Sequence, residues 1–435
     1  MVLGIIGFGV IAGILYLIMS KKTAPVVAFI VVPIIGALIA GQASEIGSHI
    51  SAGIQSMAPT GVMFIFSVLF FGIMRDSGAF DPIVNGIIKL AKGNPLLIVI
   101  GTYIISIIGH LDGSGATTFL LVVPAMLPIY EKLGMSRLVL TCVTAMGAGT
   151  MNITPWGGPT LRAATVLEMN AMELYRPVII PQLIGLALGL VFSYFLGKKE
   201  QERLGHLEES ATIEDEYSLN ITDEEKALRR PRLVIPNIIL IIIVIAIMIS
   251  GLISPAASFM IGTAIALILN YPNSEDQKIR IDSHAEAAMM MASVLFSAGV
   301  LLGIFKESGM ASSMANIMVS ILPNALGRFM AVILGFISMP LSLVFDPDSY
   351  YFGVMPVLAE TAKAFGVPAV DIARVSIIGQ ITVGFPISPL TPATFLLVGL
   401  AGVELGEHQK FSFKYLYAIS AVIMISMLLM GVLSL

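Results

Sequence analysis

Four short segments gather the residue types that hold ions and small anions, and each sits inside an otherwise apolar stretch. The first is His110-Leu111-Asp112-Gly113-Ser114-Gly115-Ala116-Thr117-Thr118. An aspartate at membrane depth costs about 3 kcal/mol unless a partner or a cavity faces it. Gly113 and Gly115 permit the backbone to unwind there and expose its N–H and C=O groups. With Asp112, Ser114, Thr117 and Thr118 this makes a set of oxygen ligands suited to a hard cation, or to a cation–carboxylate complex. The competing reading is a polar loop at a membrane surface.

The second segment is Asn152-Ile153-Thr154-Pro155-Trp156-Gly157-Gly158-Pro159-Thr160, with Arg162 close behind. Paired prolines and glycines at this density exclude a continuous helix. A break frees backbone N–H groups, and the half-helix that follows offers its positive N-terminal end, so both favour an anion. Asn152, Thr154 and Thr160 would bind carboxylates without a fixed charge, which permits release. Trp156 is either a pocket wall or an interfacial anchor. Arg162 either pairs with a substrate carboxylate or snorkels from a helix end.

The third segment, Phe345-Asp346-Pro347-Asp348-Ser349-Tyr350-Tyr351, places two carboxylates beside a helix start. One suits a metal or a proton, and the other suits a helix N-cap. Ser349 joins the candidate substrate ligands. The fourth, Pro386-Ile387-Ser388-Pro389-Leu390-Thr391-Pro392-Ala393-Thr394, repeats the proline-broken pattern and lines it with the hydroxyls of Ser388, Thr391 and Thr394.

Other ionisable groups carry less. Arg75, Asp76, Lys306 and Glu307 end apolar runs and read as interfacial caps. His49, His206, His284 and His408 read as loop residues, whereas His110, two residues from Asp112, is either a proton shuttle or a structural histidine. Cys142 stands alone, which excludes an intramolecular disulfide or a CxxC metal site, and it reads as a small core residue. There is no GxxxxGK[ST], HExxH or GxSxG, so nothing points to an ATP-driven pump or to an enzyme.

The elements that must position these segments follow from composition. Hydrophobic residues make up 57% of the 435 and charged residues 12%, against about 25% charged in a soluble domain. A deficit that large fits a chain solvated by lipid. The net charge of −4, with no cluster of Lys and Arg, gives no nucleic-acid footprint. Apolar runs recur from residue 3 to residue 434, about 11–13 of them long enough to act as membrane segments. The runs over 95–130, 138–167, 327–362 and 370–403 are broken by Gly, Pro, Ser, Thr and Asp. Such irregular backbone is tolerated at membrane depth only around protein or a water-filled cavity. Met1 to Met19 precedes Lys21 and Lys22, the reverse of a signal peptide, and reads as a retained first span.

Residues 198–232 form a long charged stretch, read as a solvated cytoplasmic linker between an N-terminal half, 1–197, and a C-terminal half, 233–435. The halves resemble each other. FGIMRDSG from Phe71 matches LGIFKESG from Leu302, Pro124 pairs with Pro356, Gly134 with Gly366, and Pro155 with Pro389. Basic residues after the first run place that loop inside. Counting crossings from there points matching runs in opposite directions, so the repeat is inverted, an architecture of secondary transporters.

At these segments the sequence resembles the CitMHS family, bacterial symporters of citrate with Mg2+ or Ca2+ and protons. LDGSGATTF, MNITPWGGPT, FDPDSYYFGVMPVL and SMAPTGVMFIFSVLFFGIMRDSGAFDP carry the resemblance, which covers essentially the whole chain. It implies an all-α polytopic fold of two inverted repeats with re-entrant hairpins and discontinuous helices, a homodimer, and a bacterial plasma membrane. It further implies proton-coupled uptake of citrate as a complex with a divalent cation. On that reading Asn152, Thr154, Thr160, Ser388, Thr391 and Thr394, with the backbone of Gly157 and Gly158, line the anion site. Asp112, Asp346 and Asp348 contact the metal or carry the proton. One departure stands out. The family's LDGDGTT motif has an acid where this chain has Ser114 and a threonine where it has Ala116, which weakens or changes metal preference. A H+- or Na+-coupled carrier of another di- or monocarboxylate without metal remains open, as does an anion channel.

Overall fold

The computed structural model describes residues 1–91, 93–204 and 223–434. Among these residues the chain is all-helical, without strands. Helices of nine or more residues number eighteen and fall into two sets of nine. The first set is α1 Val2–Met19, α2 Pro25–Ile39, α3 Ile46–Asp76, α4 Asp81–Ala91, α5 Pro95–Gly109, α6 Gly115–Lys132, α7 Arg137–Met151, α8 Gly158–Val166 and α9 Ile179–Leu204. The second is α10 Val234–Ser250, α11 Pro255–Asn270, α12 Ser274–Glu307, α13 Met310–Ile321, α14 Met330–Leu341, α15 Met355–Ala364, α16 Ala369–Ile377, α17 Pro392–Ala401 and α18 Leu405–Leu429. Among the described residues six helical stretches are long and apolar enough to cross a membrane: Ile46–Asp76, Pro95–Asp112, Ala171–Leu204, Pro231–Ser250, Ser274–Glu307 and Leu405–Leu429.

The two sets are repeats. Gly78 and Gly309 follow α3 and α12 with φ of 75° and 74°, and Gly134 and Gly366 end α6 and α15 with φ of 69° and 81°. Each pair turns the chain at the matching place in its half. The sense of the repeat follows from how the mates pack. Gly53 of α3 lies against Gly299 and Gly303 of α12, Gly61 against Phe296, and Gly72 against His284. Numbers rise along one helix as they fall along the other, so α3 and α12 are antiparallel. The same holds for α9 and α18, where Gly185 meets Ile423 and the Phe192 ring lies 5.4 Å from that of Tyr415. A rotation that exchanges antiparallel mates has its axis perpendicular to the helices, so the repeats are inverted.

Glycine makes the central contact possible. A Cβ on Gly53 would stand 1.9 Å from the Gly299 carbonyl oxygen. Both helices outrun their apolar stretches: α3 has 31 residues and α12 has 34. That is about 46–51 Å at 1.5 Å per residue, well beyond a hydrocarbon core of about 30 Å. Other elements fall short. α14 has 12 residues, α8 and α16 have nine each, and α17 has ten. At about 14–18 Å none of these crosses alone, so each ends inside the protein.

Among the described residues the packing has three buried clusters, the smallest being Ala37, Val300 and Ile304 between α2 and α12. The largest joins the hairpin segments, α7, α16, α9 and α18. The second gathers Phe29, Leu301, Phe305 and Phe352 between α2, α12 and the turn before α15. Residues 205–222 of the charged stretch, with His206, lie outside the described residues. Its flanks are anchored rather than simply solvated. Glu200 is buried and accepts from the Ser136 N–H at 2.9 Å. Arg229 donates to the Arg75 carbonyl at 2.7 Å and pairs with Asp81 at 2.8 Å. A cation on the last carbonyls of α3 is favourably placed in the helix dipole.

Candidate substrate site at two tips and two helix breaks

The first tip forms because α5 stops at Gly109 and a 3-10 turn, His110–Asp112, leads to Gly113 at φ 72°. That left-handed conformation suits glycine and reverses the chain. Asp112 then serves the start of α6. Its Oδ1 accepts from the Ser114 N–H at 2.8 Å and its Oδ2 from the Thr117 hydroxyl. A carboxylate is favoured at this end of a helix dipole. Arg75, at the end of α3, reaches to 3.6 Å from Asp112 Oδ2. Thr118 donates to the Ser114 carbonyl at 2.7 Å and lies 2.8 Å from His110 Nδ1.

The first break, Asn152–Gly157, follows α7. Trp156 donates its indole N–H to the Leu111 carbonyl at 2.7 Å. Its ring packs with Phe71 and Phe259, at 5.4 and 5.6 Å between centroids. Trp156 is therefore no interfacial anchor; it pins the break to the first tip. Thr160 stands in the first turn of α8, fully buried.

The second tip carries the two acids in different roles. Asp346 Oδ1 accepts from the N–H groups of Asp348 and Ser349, both at 3.0 Å, and so caps the turn Ser349–Val354. Asp348 receives Arg162 Nε at 2.8 Å, with the two side chains 12% and 5% exposed. Arg162 thus neither snorkels nor stands open to a substrate carboxylate in this conformation.

The second break runs from the end of α16 to α17. Ile381 adopts φ 52°, an unfavourable conformation for a β-branched residue. It is held by Ser342, whose hydroxyl accepts from the Ile381 N–H at 2.8 Å. Ser388 donates to the Ser342 carbonyl at 2.5 Å. Thr391 and Thr394 both turn to the Phe385 carbonyl, at 2.9 and 2.7 Å. The three hydroxyls expected to line the anion site thus brace the break itself.

The four segments meet. Asn152 Nδ2 donates to the Ile381 carbonyl at 2.9 Å, joining the breaks. Gln380 Nε2 donates to the Phe345 carbonyl at 3.2 Å, joining the second break to its tip. The His110 ring stacks on Phe385 at 5.5 Å and lies beside the Asn152 amide. Around these junctions several buried polar atoms have no hydrogen-bond partner: Ser349 Oγ, Gln380 Oε1, and the Oγ1 atoms of Thr154, Thr160 and Thr382. Buried side-chain polar atoms are nearly always paired in native proteins, so these atoms are candidate contacts for a polar ligand.

Among the described residues no group of three or more His, Cys, Asp or Glu is placed to hold a metal, and a metal contact or a coupled proton at Asp112, Asp346 and Asp348 is taken up below as a proposal. Each carboxylate already has its own cation or helix end. Arg75 and Asp76 are not mere caps: Arg75 reaches the first tip, and Asp76 accepts from Arg280 at 3.2 Å and His284 at 2.9 Å. His49, His284 and His408 lie on helices, because α3, α12 and α18 start well before their apolar stretches. His408 is fully buried and donates Nε2–H to the Pro386 carbonyl at 3.0 Å, while Gln409 donates to Ile387 at 2.8 Å. In the other half, Gln182 of α9 donates to the Thr150 carbonyl at 3.0 Å. These braces behind the breaks escaped the sequence reading. Gln182 had one signal, an amide in an otherwise apolar run, whereas His408 and Gln409 stand beside Glu407 and Lys410 and had none.

Two inverted repeats, each with a tip and a broken helix converging on a buried polar centre, define a multi-pass membrane carrier. The chain belongs to the citrate transporter family CitMHS, whose profile matches residues 14–379. It is 40% identical over 432 residues to the "Citrate transporter" of Bacillus subtilis, covering 99% of this chain and 100% of that one. It is 41% identical over 439 residues to the "Mg(2+)/citrate complex secondary transporter" of the same organism, covering 99% of each. Among solved structures it is similar in fold to the YdaH transporter of Alcanivorax borkumensis, with a TM-score of 0.63 at 14% identity over 91% of this chain and 89% of that one.

Proposed function

We propose that this protein carries citrate across a bacterial plasma membrane as a complex with a divalent metal ion, driven by coupled protons. The observation that carries the reading is the chemistry of the unpartnered atoms. A bare carboxylate offers only acceptors, yet the buried centre offers an acceptor as well as donors. The Gln380 amide donates its NH2 group to a carbonyl, which fixes its orientation and leaves Gln380 Oε1 as an acceptor. The hydroxyls of Thr154, Thr160, Ser349 and Thr382 add donors. A hydrated metal–citrate complex presents carboxylate oxygens to the hydroxyls and metal-bound water to the amide oxygen.

Charge supports the same reading. Free citrate carries about three negative charges near neutral pH, and burying them without compensation is very costly. A divalent cation as co-substrate leaves about one, which the N-terminal end of α8 with Gly157, Gly158 and Thr160 would face. Asp112 then serves the proton or the metal, while Arg162 neutralises Asp348 behind the site. The relative named for the Mg(2+)/citrate complex agrees with this choice of cargo. The working unit is a homodimer, and each chain divides into halves 1–197 and 233–435 about the linker 198–232.

The test uses near-isosteric changes. Thr154→Val, Thr160→Val and Ser349→Ala each delete one hydroxyl and should raise KM for citrate uptake about fivefold to thirtyfold, as for a lost hydrogen bond of about 1–2 kcal/mol. Unchanged uptake in all three variants would remove the site from this place.

A further inference from the structure

A cavity of about 280 Å3 opens beside α8, lined by Ser56, Thr60 and Met63 of α3, Ala164 and Thr165 of α8, and Glu168. Pro255 and Ala256, at the start of α11, also line it. Its size is near the lower end of small-molecule sites, about 300–1,000 Å3. It lies at the end of the molecule away from the charged stretch. α3 and α11 both run from this cavity to their far ends, where Arg229 donates to the Asp76 carbonyl and Arg230 to the Asn270 carbonyl.

Each wall leads inward, because residues three, four or seven apart share a helix face. On α8, Thr160 of the buried centre lies one turn below Ala164. On α11, Phe259 lies one turn below Pro255 and Ala256. On α3, Phe70 lies two turns below Met63. The Phe70 and Phe259 rings meet at 5.8 Å between centroids, and Phe71 lies 5.2 and 5.8 Å from them. Trp156 lies 5.4 Å from Phe71 and 5.6 Å from Phe259. These four rings form a floor. Trp156 stands between Thr154 and Thr160 in the first break, so the floor separates the cavity from the unpartnered hydroxyls of the centre.

The lining is polar in one repeat only. Ser56, Thr165 and Glu168 match Ala287, Gly399 and Gly402 of the second repeat. The repeat's backbone therefore forms without these polar groups. Thr165 is 1% exposed, and its hydroxyl has no hydrogen-bond partner among the described residues. Glu168, at the rim, pairs with Lys306 at the end of α12. From this we infer that the cavity is a vestibule site, where a hydrated complex of a divalent cation with a carboxylate docks before the aromatic floor parts to admit it. Glu168 faces the cation, and the hydroxyls of Ser56 and Thr60 donate to the carboxylates. The inference rests on the carrier reading above, and its test reads occupancy of the cavity separately from uptake.

Cys142 is buried, and Cys142→Ala gives a cysteine-free background. Ser56→Cys, Thr60→Cys and, as a control, Ser44→Cys are made separately in the full-length protein in lipid vesicles. Ser44 is exposed in the turn before α3, at the same end of the molecule. A membrane-impermeant methanethiosulfonate is added on ice, and remaining thiols are counted by a maleimide mass tag. All three cysteines should label. Mg2+ with citrate should slow labelling several-fold at the two cavity cysteines and leave the control unchanged, whereas Mg2+ alone, or citrate with EDTA, should protect neither. Glu168→Gln should raise the Mg2+–citrate concentration needed for protection at least about tenfold, as for one lost charged contact. Cavity cysteines that do not label, that label equally with and without Mg2+–citrate, or that are protected no more than the control, overturn the vestibule. Equal protection by citrate with EDTA, or in Glu168→Gln, overturns the cation contact. Uptake of labelled citrate is measured in the same vesicles. Metal-dependent uptake without protection overturns the vestibule and leaves the cargo standing, whereas protection without uptake supports the site and sinks citrate transport.

Discussion

Arg162→Leu removes the partner of a buried carboxylate, and leucine is what the second repeat has at the matching position, Leu396. The backbone therefore tolerates the new side chain, and the cost falls on Asp348. With the pair at 2.8 Å and the side chains 5% and 12% exposed, little water is at hand to replace the guanidinium. Breaking a buried pair on one side costs about 3–5 kcal/mol, and each 1.4 kcal/mol is about tenfold in the folded-to-unfolded ratio. Arg162→Leu should thus shift that ratio by more than about a hundredfold. Adding Asp348→Asn removes the stranded charge and should recover more than half of the loss. Denaturant unfolding of the purified protein in micelles measures both, with the single tryptophan, Trp156, as reporter. A single variant within 1 kcal/mol of the parent (about fivefold), or a double variant no better than the single, would refute the reasoning.

Gly53→Ala places a methyl group 1.9 Å from the Gly299 carbonyl oxygen, so α3 and α12 must part; a loss of about 3 kcal/mol or more is expected in the same unfolding assay. Trp156→Phe keeps the ring in its aromatic cluster but deletes the bond to the Leu111 carbonyl. It should cost about 1 kcal/mol and loosen the first tip, read as faster amide hydrogen exchange at residues 110–114. Asp112→Asn should alter the metal or proton dependence of uptake while leaving expression and folding near the parent level; unchanged coupling would end the role assigned to Asp112.

The helix breaks were legible because proline and glycine at such density leave no other choice, and they fall where α7 and α16 end. The repeat was legible too, since the GI[MF][RK][DE]SG match recurs at the ends of α3 and α12. What sequence could not supply were partners distant in the chain. Asp348 is neutralised by Arg162 and Asp112 faces Arg75, and neither pairing follows from the spacing of these residues along the chain. The hydroxyls of Ser388, Thr391 and Thr394 were visible as a group, but only the geometry shows them holding the backbone of their own break. The histidines were misplaced for a related reason. Apolar periodicity marks where lipid begins, and α3 and α12 continue beyond it because they pack on each other.

Uptake of labelled citrate into vesicles containing the purified protein, under an inward proton gradient, tests the proposed carrier most directly. The vesicles are assayed with EDTA, and then with Mg2+, Ca2+ and other divalent ions in turn. A metal–citrate symporter accumulates citrate against its gradient only when both a divalent ion and the proton gradient are present. Accumulation undiminished by EDTA would contradict metal–citrate as the cargo, and no accumulation in any condition by protein shown to be folded would contradict citrate transport itself.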